Sequence, residues 1–245
     1  MTLDTASKAQ LTPPRYPVIT IDGPSGAGKG TVAWRLAKEL DYQLLDSGAL
    51  YRIVGLKACE AGLLATDKLD EDAIATLTEQ LSINFEPNEA TGNVDILIDG
   101  ALIGRDIRNE TVGGYASKVA VFPKVRQALL YLQQQMAEQS GVIADGRDMG
   151  TVVFPDADAK VYLTASGESR AQRRVAQLEQ AGEAADYAAI LATIQERDIR
   201  DETRSASPSK PAADALVLDS SALTAEQVYQ AIKAHCQAQG IGFKS

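Results

Sequence analysis

Nine residues near the start of the chain, Gly23-Pro24-Ser25-Gly26-Ala27-Gly28-Lys29-Gly30-Thr31, restrict the possible folds more than any other stretch. They follow the short apolar run Val18-Ile19-Thr20-Ile21 and precede the helical pattern Val32-Ala33-Trp34-Arg35-Leu36-Ala37. Four glycines in nine residues let the backbone turn its N–H groups inward around an anion. The helix that follows adds its positive dipole end and unpaired donors. Lys29 supplies a point charge where the β- and γ-phosphates of a nucleotide would sit. An ordinary Gly-rich turn is the competing explanation, but strand, lysine-bearing loop and helix in that order form the context a phosphate-binding P-loop requires. The stretch departs from the strict G-x-x-x-x-G-K-[ST] form, because Gly30 takes the hydroxyl position and Thr31 comes one residue later. Direct metal ligation by this loop is therefore not expected.

A chain of 245 residues, 45% of them hydrophobic, is long enough for one sizeable core with an inserted subdomain. Its net charge of −9 argues against a broad nucleic-acid or anionic-membrane surface, so anionic ligands must meet local arginines. No run approaches the ~18 apolar residues of a membrane span, and the N-terminus lacks a charged-then-apolar signal pattern, so a cytoplasmic location is expected. The two cysteines, Cys59 and Cys236, lie far apart and read as free, largely buried thiols. The single histidine, His235, has no nearby nucleophile or carboxylate arrangement in sequence. That scarcity suits phosphoryl transfer, which asks for positioning and positive charge rather than a histidine base.

Residues 1–15 are polar, end in a Pro pair and read as a loose tail. Short apolar runs at 18–21, 43–45, 141–145, 159–163 and 215–218 alternate with helical patterns, the last from Ala225 to about Cys236. The alternation predicts an α/β fold with a five-stranded, doubly wound parallel sheet covered on both faces. Nearly a hundred residues separate the second and third strands, too many for one crossover. Residues 81–85 and 94–98 alternate with period two around a turn-rich stretch, and Asp99-Gly100 offers a second hairpin turn. Residues 66–109 therefore read as a mixed β insertion, followed by helices at 110–121 and 123–138. Ser205-Ala206-Ser207-Pro208-Ser209-Lys210-Pro211 reads as a linker after a charge-rich helix at 186–204.

In an open parallel sheet, ligands sit beyond the carboxyl ends of the strands. The first strand delivers the cradle, preceded by Asp22. The second delivers Asp46-Ser47-Gly48 and, one turn later, Tyr51-Arg52; the third delivers Asp145-Gly146-Arg147-Asp148. Asp145 is placed to hold a metal-bound water, and Arg52 and Arg147 to fork onto phosphate oxygens. Asp46-Ser47-Gly48 reads as a helix N-cap, either alone or, the favoured reading, with neighbours that also touch ligand. Arg197, Arg200 and Arg204 fall at steps of three and four, on one helical face. That face is either a solvated one laced by ion pairs or a mobile cover bringing positive charge onto a migrating phosphate. Arg170, Arg173 and Arg174 form a second basic group, readable as nucleotide contact or as an ordinary amphipathic helix.

Taken together these segments resemble the bacterial cytidylate kinases, a branch of the P-loop nucleoside monophosphate kinases. The resemblance runs from Ile19 through the cradle, Leu45-Asp46-Ser47-Gly48-Ala49-Leu50-Tyr51-Arg52, Ile143 to Pro155 and Glu196-Arg197-Asp198, to Ala212-Ala213-Asp214-Ala215-Leu216. It implies a core P-loop domain (16–65, 110–165 and 212–245), a monophosphate-binding insertion (66–109) and a helical lid (166–211). It implies transfer of the γ-phosphoryl of MgATP to CMP or dCMP, by a protein expected to act as a monomer. ATP would lie on Gly23, Pro24, Ser25, Gly26, Ala27, Gly28, Lys29, Gly30, Thr31 and Arg173. The monophosphate would lie on Ser47, Tyr51, Arg52, Arg147 and Arg197, with Asp201 at the ribose and Ser117, Arg126 and Asp148 at the cytosine. Lys29, Asp145, Arg147, Arg197 and Arg204 would serve the transfer itself, with magnesium held through phosphates and waters. Kinases of the same scaffold specific for UMP or dTMP are the nearest alternative. A GTPase-like switch is a more distant one, disfavoured because the sequence has no Asn-Lys-x-Asp guanine-reading motif.

Overall fold

The computed structural model describes residues 16–243, apart from 67, 89–92, 99, 104–106 and 108. The expected N-terminal tail at 1–15, the first hairpin loop and Asp99 thus lie outside the described residues. In chain order the elements are β1 (Val18–Asp22), α1 (Lys29–Leu40), β2 (Gln43–Asp46), α2 (Ser47–Glu60), α3 (Glu71–Gln80), β3 (Ile83–Asn88), β4 (Asn93–Ile98) and β5 (Ala101–Ile103). They continue with α4 (Glu110–Val119), α5 (Pro123–Met136), β6 (Val142–Gly146), a π-helical turn (Met149–Val153), β7 (Ala159–Thr164), α6 (Gly167–Gln180), α7 (Tyr187–Thr203), β8 (Leu216–Asp219) and α8 (Ala225–Ala238). Among the described residues no helix is long and apolar enough to cross a membrane.

The five expected strands form one parallel sheet in the order β2-β6-β1-β7-β8. Side chains alternate across a strand, so a sheet covered on both faces needs apolar residues at consecutive positions. Along β6, Val142 and Ala144 join the core under α2, α4 and α5, while Ile143 joins the core under α1 and α8. Along β1, Val18 takes the first face and Ile19 and Ile21 the second. The register sets Asp46 beside Asp145 and Asp22 beside Gly146, so the carboxyl edge of the sheet carries its acidic residues in a row.

The alternating runs of the insertion do pair as hairpin strands, but in a sheet without the parallel pairing that a mixed β unit would carry. Its three strands, in the order β3-β4-β5, are antiparallel throughout, and a helix, α3, precedes them. Asp70 caps α3 by accepting a hydrogen bond from Ala73 N at 3.0 Å, and the helix buries Ile74, Ala75 and Thr78 on one face. Ten residues carry too few apolar positions for a helical period to stand out in the sequence.

Helix α2 brings Ser47, Tyr51 and Arg52 to the carboxyl edge, and α4 crosses it closely. A Cβ built on Gly55 would lie 2.7 Å from the backbone nitrogen of Ala116, so only glycine lets the two backbones approach this far. The Gly55→Ala variant is expected to lose about 1–3 kcal/mol of stability in urea titration, because the added methyl must push α4 away.

Candidate active site

The glycine loop opens α1 in the way its composition demands. Gly28, the residue before the helix, has φ 98° and no side chain to cap the first turn, leaving the backbone donors there for another partner. Lys29 is buried beneath the loop, its Nζ donating to the Pro24 carbonyl at 3.0 Å and standing 3.6 Å from Asp145 Oδ1. Burial, and then the neighbouring Arg147, push the Lys29 ammonium down to about 8. Burial raises the Asp145 carboxyl above its ordinary range, against the pull of Lys29.

Two cavities open from this edge. The larger, about 830 Å³, runs from Ser25, Gly26, Ala27, Gly28 and Thr31 along the inner faces of α6 and α7, reaching Arg173, Arg174 and Arg197. The smaller, about 60 Å³, lies between Ser47 and Tyr51 of α2, Ser117 of α4, the Gly146-Arg147-Asp148 segment and Arg197, Asp201 and Arg204. Arg197 lines both cavities and donates to Ser25 Oγ at 3.3 Å.

The arginines in this crevice are balanced by carboxylates from other elements. Arg147 Nε donates to Asp201 Oδ2 at 2.9 Å. Arg126 Nη2 pairs with the buried Asp148, and Arg204 Nη2 lies 3.9 Å from the same carboxylate without a hydrogen-bond partner. Burial by itself would raise the Asp201 carboxyl, but Arg147, Arg197 and Arg204 hold it below its ordinary value. Burial, and then Arg126, pull the Arg204 guanidinium down. Tyr51, under the Arg126 guanidinium at 5.4 Å, is pushed by burial up to about 12 and stays a phenol.

Residues 19–238 match the protein family described as cytidylate kinase. The chain belongs to that family. "Cytidylate kinase 1" of Haemophilus influenzae is 51% identical over 227 residues, covering 93% of this chain and 96% of the relative. The "Cytidylate kinase" of Actinobacillus succinogenes is 54% identical over 215 residues, covering 86% and 94%. Among solved structures, that of TT1252 from Thermus thermophilus aligns with a TM-score of 0.47 and 18% identity, over 94% of this chain and 100% of that one.

Within this cytidylate kinase family member, most of the expected site residues converge. Ser25, Gly26, Ala27, Gly28, Thr31 and Arg173 line the larger cavity, while Ser47, Tyr51, Ser117, Arg147, Asp148, Asp201 and Arg204 line the smaller one. Arg126 joins the smaller cavity through Asp148. Gly23, Pro24, Lys29, Gly30 and Asp145 line neither cavity. Gly30 faces Asp145, whose Oδ2 would lie 3.6 Å from a Cβ there. Arg52 is directed elsewhere: its Nη1 donates to the carbonyls of Ile107 and Asn109 at 2.8 Å each, where the insertion rejoins α4. The three-arginine face splits, because α7 ends at Thr203. Arg204 becomes its extended C-cap and turns inward, whereas Arg200 stays exposed. Asp46 does cap α2, accepting from Ala49 N at 3.0 Å, while Ser47 and Tyr51 behind it line the smaller cavity.

Three groups take parts in the site that the sequence reading did not assign to them. Arg170 reaches from α6 to Asp198 of α7 at 3.0 Å and to the Ser25 carbonyl at 3.2 Å. The linker-like stretch after α7 is packed instead: Ser209 is buried, its N–H bonds the Asp201 carbonyl at 2.8 Å, and Ser207 meets two arginines. Asp22 at the end of β1 accepts from Met149 N and Gly150 N, each at 2.8 Å, and so pins the turn that follows Asp148.

Burial lifts the Asp22 carboxyl from 3.8 to about 7 despite those two donors. A folded-state pKa above the unfolded one means the retained proton stabilises the fold fully below about 3.8, and that contribution disappears as pH rises through about 7. Asp22→Asn has no such proton to lose, so its stability relative to the parent is expected to improve between pH 4 and 7 in urea titrations. Asp22→Ala strands both backbone donors and is expected to cost about 2 kcal/mol or more at every pH.

Proposed function

We propose that the chain catalyses phosphoryl transfer from MgATP to CMP or dCMP, giving ADP and CDP or dCDP. The observation that carries this reading is Arg197, which lines both the cavity along the glycine loop and the one beside Asp148. A group shared by two anion-binding cavities is placed at the phosphoryl group passing between them. The resemblance to relatives named cytidylate kinase supplies the substrate pair.

In this reading the triphosphate of ATP lies on the loop from Gly23 to Thr31, with Lys29 beneath it and Arg173 beside the larger cavity. An oxygen of the CMP phosphate attacks the γ-phosphorus, and the bond from that phosphorus to the β–γ bridging oxygen breaks. The attacking oxygen is already anionic, so no general base is needed. The protein's task is to hold two polyanions in line and offset their repulsion. Lys29, Arg147, Arg197 and Arg204 do this. Arg52 approaches the acceptor phosphate only by leaving the Ile107 and Asn109 carbonyls, which makes it the least prepared of the expected ligands.

Magnesium enters as part of MgATP and supplies charge neutralisation on the phosphates. Among the described residues there is no group of three or more His, Cys, Asp or Glu that could hold a metal ion. Asp145, whose ionised form burial disfavours, gains from a nearby cation and fits a role beside a metal-bound water.

The acceptor base is read by Asp148, Arg126 and Ser117. Cytosine offers an N4 amino donor to a carboxylate and O2 and N3 acceptors to a guanidinium or hydroxyl. Uracil presents an oxygen in place of the amino group, so its O4 would face Asp148 with no hydrogen to share. Asp201 serves the ribose once Arg147 turns to phosphate.

The α6–α7 pair acts as the lid. No residue of helix α7 is fully buried; the ion pair Arg170–Asp198 joins it to α6, while Arg147–Asp201 and the Arg170 contact with the Ser25 carbonyl tie the pair to the turn after β6 and to the cradle. A 60 Å³ space is too small for a nucleotide, so the acceptor enters as this arm swings out, and re-closure excludes water. The chain's acidic charge and lack of long apolar helices among the described residues accord with work in the cytoplasm.

An ADP-release assay across CMP, dCMP, UMP, AMP and dTMP tests the reading, with CMP and dCMP expected to be used best. Far better use of UMP or AMP would remove the cytosine assignment. In Asp148→Ala the preference for CMP over UMP is expected to fall ~10–100-fold while the KM for ATP changes little. Because Lys29 must carry its proton to meet phosphate, kcat/KM for ATP is expected to decline as pH rises through about 8. A flat profile from pH 7 to 9 would contradict it.

A further inference from the structure

We propose that Ser207 is a positioning residue that makes closure of the α7 arm and selection of the acceptor base a single event, by fixing the plane of the Arg126 guanidinium. The proposal rests on the reading that Arg126 and Asp148 recognise cytosine.

Arg126 sends its three nitrogens to three separate parts of the molecule. Nη1 donates to the Ala120 carbonyl at the end of α4 at 3.1 Å, Nη2 pairs with Asp148 after β6, and Nε donates to Ser207 Oγ at 3.2 Å. The first two partners belong to the body of the protein. The third is on the segment that leaves α7. A guanidinium is planar, so a partner at Nε fixes the orientation of the ring of donors in a way that two end contacts alone do not. Ser207 thus decides which edge Nη2 shows to Asp148 and to a base between them.

The same residue holds the arm. Its carbonyl accepts from Arg204 Nε at 2.7 Å, and its φ of 50° makes it one of two non-glycine residues with positive φ among the described residues. Such a conformation is disfavoured for a residue with a Cβ and persists where the surroundings impose it. Here they do. Two residues later Ser209 N bonds the Asp201 carbonyl at 2.8 Å, and Ser209 Oγ lies 3.4 Å from the Tyr162 hydroxyl on β7. The bend at Ser207 places its hydroxyl and its carbonyl on two arginines that both face Asp148.

When the arm lifts, Ser207 moves with it and Arg126 loses the contact that sets its plane. The base-reading geometry is complete only when the arm is down. By reciprocity, an acceptor that satisfies Arg126 and Asp148 favours the closed arm, and one that does not leaves it open. Discrimination between cytosine and uracil is then exercised in closure as well as in binding.

The test uses the full-length enzyme with Ser207→Gly, Ser207→Asn and Arg126→Ala. Glycine adopts φ near 50° freely, so Ser207→Gly removes the hydroxyl without straining the bend. Asparagine also tolerates that conformation and restores a side-chain acceptor. In Ser207→Gly the KM for CMP is expected to rise about tenfold and the CMP-over-UMP preference to fall by a similar factor, with the KM for ATP and the melting temperature nearly unchanged. Ser207→Asn is expected to recover most of both. In an Arg126→Ala background Ser207→Gly is expected to add nothing further to the CMP parameters. If Arg126→Ala alters CMP use and Ser207→Gly does not, the coupling is wrong while the base pocket stands. Equal losses for ATP, CMP and thermal stability in Ser207→Gly would reduce Ser207 to a structural bend and overturn the proposal. If neither Arg126→Ala nor Ser207→Gly changes CMP use, the base-pocket reading fails and the proposal falls with it.

Discussion

Everything at the carboxyl edge of the sheet depends on how five like charges are kept in one crevice. Lys29, Arg126, Arg147, Arg197 and Arg204 repel one another, and several are taken out of water, where an unbalanced cation is costly. The protein answers with a carboxylate from a different element for most of them: Asp145 from β6 for Lys29, Asp148 from the turn after β6 for Arg126 and Arg204, and Asp201 from α7 for Arg147. Because partners come from separate elements, balancing the charge also joins those elements. The position of α7, the tightness of the smaller cavity and the packed course of the chain after α7 all follow from it.

The sheet makes this arrangement possible by register rather than by any single contact. Parallel pairing aligns Asp22, Asp46 and Asp145 along one edge, and the glycine loop rises from the central strand. Asp22 then ties the edge to the π-helical turn through two backbone donors, which places Asp148 above the sheet instead of leaving it on a free loop. Gly55 lets α2 and α4 close around the other side, bringing Ser47 and Ser117 to one wall. Strand ends, the turn and a helix crossing thus act together on a space that no one of them encloses.

The parts of this design that were legible in the sequence are the local ones. A glycine loop between an apolar run and a helix, an Asp-Gly-Arg-Asp at a strand end and five short apolar runs each carry their meaning within about ten residues. Arg126 and Ser117 carried none and entered only through resemblance, since an arginine or serine on a helix is ordinary. Asp22 to Gly150 spans 128 positions, Arg126 to Ser207 spans 81, and Arg170 to Asp198 spans 28, distances at which spacing gives no signal. The Ser- and Pro-rich composition of 205–211 argued for a linker because such residues favour turns. Here Ser207 instead gives its hydroxyl oxygen to the Arg126 guanidinium and its carbonyl to that of Arg204, while Ser209 donates its N–H to the Asp201 carbonyl. The arginine face of α7 lost its last member by a single residue, because periodicity says where a face points but not where the helix stops.

An arm held by ion pairs differs in kind from one held by an apolar seam. Apolar burial is indifferent to what anion arrives, whereas each pair on α7 offers its cation to a competitor of the same sign as its own carboxylate. A phosphate that takes Arg147 from Asp201 does not merely bind; it releases a carboxylate of the arm for another donor and redistributes charge over the whole crevice. On the proposed function, arm position and substrate charge would therefore be linked by the same side chains, Arg147 and Asp201. On the same reading, selectivity for polyanions would then arise before any base is read, and the contacts of Arg126 with Asp148 and Ser207 would add a second condition on top of it.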